Sequence, residues 1–129
     1  MINRTIALAS LIGMTVIAPA TAQAQGITRQ IMQTTEFPAG YTTVTGIATI
    51  AAGSCAGQHI HPGLETSYML EGEIILKIEA KPDQKFKAGE SLQVPIAAKH
   101  DACSTGNAPA KVLIVYVIER GKPIASPAP

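Results

Sequence analysis

The chain has no tryptophan, two phenylalanines and three tyrosines among its 129 residues. With so few aromatics, a core has to be assembled from Val, Ile, Leu and Ala, and the 47% hydrophobic fraction supplies them. Charge is scarce as well, at 15% of residues, and the formal balance is only +1. Binding to nucleic acid or to an anionic membrane needs a basic patch. The one lysine cluster, Lys81, Lys85 and Lys87 around Asp83, reads as a solvated loop. Nucleic acid is therefore not an expected partner. Heptads and internal repeats are missing, as are a phosphate-cradling glycine loop, a dinucleotide fingerprint and a Ser-His-Asp grouping. Any chemistry must run through some other group.

A long apolar span is also lacking. Thr5 to Ala18 is uncharged but short for a bilayer helix of ~20 residues. It follows Arg4 and precedes Ala22-Gln23-Ala24, the small-x-small pattern that a signal peptidase reads. Residues 1–24 are thus expected to be a cleaved signal peptide, with Ala22 as the second choice of cut. A single arginine there excludes a twin-arginine signal, so export would be of the unfolded chain. The expected location is periplasmic or secreted, with no stable membrane insertion after cleavage. Removal of Arg4 leaves the mature chain electrically balanced.

Eleven glycines and nine prolines imply many turns and short strands. No convincing amphipathic helical period appears after the leader. Strands are expected over 28–33, 41–51, 55–61, 66–70, 74–79, 86–89 running into 91–94, 99–105 and 111–119. The last is nearly all Val, Ile and Leu, as in a central strand buried on both faces. Glu71-Gly72-Glu73 reads as a hairpin turn. The expected class is all-β, one barrel or sandwich over residues 25–120, with a loose proline-rich tail over 121–129.

Histidine is scarce and informative: His59, His61 and His100 are the only three. A strand sends alternate side chains to one face, so His59 and His61 can reach one ion together. Pro62-Gly63 then turns the chain so that Glu65 can return to it. His100 must arrive on another strand. Three imidazoles and one carboxylate suit a single divalent transition metal (Fe, Mn, Cu, Ni or Zn) better than Ca or Mg. Octahedral coordination by four protein ligands would leave two positions open for a small molecule. Tyr68, Met69, Gln93 and Tyr116 are further candidates for the cavity wall.

The stretch Gly53 to Gly72, with its glycine, His59, His61, Glu65 and closing Gly72, resembles the first motif of the cupin family. Gly89 to His100 resembles the second. That second match departs from the usual pattern at Ala97, where the family has glycine, and at Ser104, where it has asparagine. The resemblance implies a jelly-roll β-barrel with the metal inside its mouth, and a homodimer. It also implies a small dioxygenase-type enzyme in which Glu65 could leave the metal to act as a base. A non-catalytic binding protein, and a non-redox lyase or isomerase using Tyr68 or Tyr116, are the alternatives.

Cys55 and Cys103 are the only cysteines. An exported chain can join them, and the cupin architecture makes their strands neighbours. Parity opposes this. If His59 faces His100, Cys55 shares the face of His59 while Cys103 lies on the face opposite His100, unless the strand bulges.

Overall fold

The computed structural model describes residues 26–129, so the expected signal peptide lies outside the described residues. The described chain is all-β, with ten strands in two antiparallel five-stranded sheets. In chain order the strands are β1 (Ile27–Thr35), β2 (Tyr41–Ile50), β3 (His59–Ile60), β4 (Gly63–Glu71), β5 (Glu73–Ile78), β6 (Gln84–Lys87), β7 (Ser91–Val94), β8 (His100–Ser104), β9 (Ala110–Glu119) and β10 (Ser126–Pro127). The first sheet runs β1-β2-β9-β4-β7 and the second β10-β3-β8-β5-β6. Two facing sheets built this way form the cupin-like jelly roll expected from the sequence.

Alternation makes the core. Val112, Ile114, Tyr116 and Ile118 of β9 point inward and are buried, as are Val44, Ala48 and Ile50 of β2 and Ile74, Leu76 and Ile78 of β5. Strand β9 is central in its sheet, between β2 and β4. Its other face is half-buried rather than buried, which corrects the expectation of two covered faces. Because the sheets are antiparallel, each needs only one apolar side. Gly63 begins β4 where that strand passes very close to β9. A Cβ there would lie 2.0 Å from the carbonyl oxygen of Val117, so only glycine fits.

Two segments depart from the sequence reading. The expected strand over 55–61 shrinks to His59–Ile60, preceded by an isolated bridge between Cys55 and Cys103. The residues after Gly121 carry β10, which pairs Ser126 with Ile60 and Pro127 with His59. Proline lacks a donor and is tolerated at such an edge. Sequence pattern could not reveal the pairing, because a two-residue strand has no periodicity.

Candidate metal centre

The site lies where β3, β8 and the start of β4 meet. His59 and His100 are register partners on β3 and β8. His61 follows β3, and Glu65 stands on β4 opposite Tyr116 of β9. The three imidazoles come together, with ring centroids 4.9 Å apart for His59–His61, 4.2 Å for His59–His100 and 4.9 Å for His61–His100. One nitrogen from each lies within 4.8 Å of those of the others. Glu65 joins on one side, its Oε2 2.9 Å from His61 Nε2 and 3.7 Å from His100 Nε2. His61, His100 and Glu65 are buried, and His59 is half-buried at the mouth.

The backbone fixes how each ring presents itself. Nδ1 of His59 lies 2.6 Å from the carbonyl oxygen of Gly57, Nδ1 of His61 2.5 Å from that of Ile124, and Nδ1 of His100 2.9 Å from that of Ala98. A carbonyl oxygen only accepts, so each Nδ1 must carry the hydrogen and donate. In the neutral ring, Nε2 then holds a bare lone pair. All three lone pairs are on the side where a shared ion would bind.

His61 makes the need for a cation explicit. Its Nε2 is buried and finds no donor, yet it sits against a carboxylate oxygen. Two acceptors at 2.9 Å repel unless a positive charge lies between them. Burial alone would raise the pKa of Glu65, but positive charge shared with His100 and His61, and a hydrogen bond from Ser67, outweigh it and hold the carboxyl below the usual range. Ser67 Oγ donates to Glu65 Oε1 at 2.7 Å, leaving Oε2 for the centre. Leaving such a carboxylate buried with no cation would cost several kcal/mol. The donor set and its orphaned atoms therefore fit a divalent transition metal. Burial also lowers the pKa of His59 to about 4, and the neighbouring His100, His61 and Arg29 push the same way, so the ring stays neutral and available as a ligand.

The centre opens into a small pocket, part of it open to solvent, with a mostly aliphatic wall. Tyr116 lines it, with its ring 4.6 Å from His61 and its hydroxyl accepting from Arg29 Nε at 3.4 Å. Burial, helped by the Glu65 charge, pushes the Tyr116 hydroxyl up to about 12. Of the other wall candidates, Met69 is fully buried in the core, while Tyr68 and Gln93 face outward. Gln93 Nε2 donates to Thr66 Oγ1 there. Arg29 was missed by the sequence reading. It lies outside the histidine motifs, yet it is in phase with buried Ile27 on β1, and an arginine at an inward position is the signal that could have found it.

Cys55 and Cys103 are joined by a disulfide. The bulge that parity demands is present. His59 pairs with His100, whereas Cys55 stands opposite Cys103, so the segment before β3 holds one residue more than its partner. Gly57, at φ +86°, supplies the left-handed residue that such a bulge uses. Its carbonyl is the one that orients His59.

The cupin domain family model matches residues 46–116, more than half of the chain, and this chain belongs to that family. No curated protein is similar enough in sequence to match. Solved structures agree on the fold. A conserved uncharacterised protein with a double-stranded β-helix domain from Klebsiella pneumoniae superposes with a TM-score of 0.67 at 18% identity, covering 88% of this chain and 90% of that one. The DMSP lyase DddQ from Ruegeria pomeroyi gives 0.67 at 17% identity over 80% of this chain. This chain spans 52% of the length of that lyase. A variant of oxalate decarboxylase from Bacillus subtilis gives 0.62 at 22% identity, covering 75% of this chain and 27% of that one.

Proposed function

We propose that this cupin is an exported metal-dependent enzyme of the oxygenase type, acting on a small molecule. In this reading His59, His61, Glu65 and His100 hold one divalent transition metal. The observation that carries it is the convergence of three Nε2 lone pairs, each set by a backbone carbonyl, beside a buried carboxylate. Such an ion supplies Lewis acidity and, if redox-active, electron transfer. The aliphatic wall sheds water as the small molecule enters the pocket. Glu65 bonds to Ser67 through one oxygen only, so its other oxygen can accept a proton.

The expected result for His61→Ala is loss of metal affinity by more than about a hundredfold with the strand content intact, since the barrel rests on apolar burial. Stoichiometric metal in that variant, measured by elemental analysis, overturns the ligand set. Oxygen uptake by Fe- or Cu-loaded protein with a panel of diols and enediols tests the reaction class. Absence of uptake throughout removes the oxygenase reading.

A lyase or isomerase is the second reading, and Tyr116 favours it. A hydroxyl held protonated, on a ring packed against His61, can donate a hydrogen bond to a carbonyl oxygen in the pocket. Turnover without oxygen that falls in Tyr116→Phe would support it.

Export rests on the leader-like residues 1–24, and the disulfide suits an oxidising compartment. A mature N-terminus at Gln25 is the expected result of sequencing the purified protein. A homodimer through the first sheet is the expected assembly, because Leu64, Tyr68 and Leu70 expose apolar surface on its outer face.

A further inference from the structure

We propose that Arg29 anchors the negatively charged end of the ligand, and that this ligand is a small carboxylic acid with an apolar body. The inference deepens the reading of the metal centre and rests on it for the second contact of the acid group.

Arg29 stands on β1, in the sheet opposite the histidines, with its side chain on the wall of the same pocket. Arg29 is half-buried, and among the described residues its guanidinium makes no salt bridge. Its polar contacts are with uncharged groups and are long, Nη2 to His59 Nε2 at 3.5 Å and Nε to the Tyr116 hydroxyl at 3.4 Å. A guanidinium has five donors in a planar fork shaped for a carboxylate. Here most of them lack a charged acceptor.

A metal at the centre sharpens this. The His59 lone pair that now faces Nη2 is the one the metal would take. Arg29 would then lose that acceptor and face a second cation across the pocket. An anion between the two relieves both deficits, with one oxygen toward the guanidinium and one toward the open side of the centre. Beyond it the wall is apolar, formed by Ile27, Ile50, Leu76, Val94 and Ile114. Apart from Tyr116, this part of the wall offers a ligand little but hydrocarbon surface, so the rest of the molecule should be apolar.

Calorimetric titration of the full-length mature protein, with and without Co2+, tests the proposal. The probes are propionate and benzoate against their neutral counterparts propanamide and benzamide. In the wild type each acid should bind at least about tenfold more tightly than its amide, the value of a charge-assisted hydrogen bond. Arg29→Gln should abolish the preference, and Arg29→Lys should restore part of it. Equal affinity for acid and amide in the wild type overturns the proposal. So does an undiminished preference in Arg29→Gln, which would assign the anion to the metal alone. Co2+ binding is measured separately in each protein. If Co2+ does not bind, the metal reading falls, and the acid–amide comparison on metal-free protein still decides the role of Arg29.

Discussion

Individual side chains at the centre are tuned by the carbonyls behind them. At His59 burial outweighs the Gly57 carbonyl, which by itself would raise the pKa. The ring's pKa is about 4 in the fold, against 6.5 for an ordinary histidine. Between those values the unfolded chain takes up the proton and the folded chain does not. Stability is therefore full above about pH 6.5 and declines as pH falls toward 4. Metal-free wild-type protein should lose about 2 kcal/mol more than His59→Gln over that window, by chemical denaturation at pH 7 and pH 4. An equal loss in both proteins would show that this ring does not set the acid limit. The identities of the site residues were readable from spacing, because His59, His61 and Glu65 fall in one short stretch. Their tautomers were not, since the carbonyls of Ala98 and Ile124 carry no sequence mark. Ala97 was visible as an odd residue in a glycine position, and it indeed adopts φ +56°. That left-handed conformation costs roughly 1–2 kcal/mol for a residue with a Cβ.

Among the elements, β10 has the least sequence signal and a direct tie to the centre. It lies on β3, and the segment leading into it brings the Ile124 carbonyl to His61. Ala128 N–H donates to the Gln58 carbonyl, extending the same edge. Removing residues 122–129 should weaken metal binding by about 10–100-fold, the usual effect of deleting a group that orients a ligand. Competition with a chromophoric chelator measures this. Only a modest loss of unfolding free energy should accompany it, because the other strands supply the buried core and the segment adds only Ile124, packed against it. The strong strands, β2, β4, β5 and β9, were legible because each alternates over six residues or more. The bulge before β3 breaks alternation, and there the sequence reading overran.

Across the whole molecule, the disulfide joins points 48 residues apart, and the loop it closes contains His59, His61, Glu65 and His100. Closing so long a loop constrains the unfolded chain. The double variant Cys55→Ser/Cys103→Ser should be less stable by about 2–4 kcal/mol. Urea denaturation of both proteins, without reductant, tests this, and equal midpoints would contradict it. All-β class and cupin membership were evident from two motifs. The disulfide was left open, because its pairing depends on one extra residue whose position only the folded register reveals.

Trimming near the carboxyl end has a practical corollary. The Ile124 carbonyl reaches His61 from a segment held to the barrel by a two-residue strand at the sheet edge, so the grip on the ion can mature only once that edge has docked. Samples clipped by a protease within residues 122–129 would look well folded by spectroscopy and yet come off the column depleted of metal.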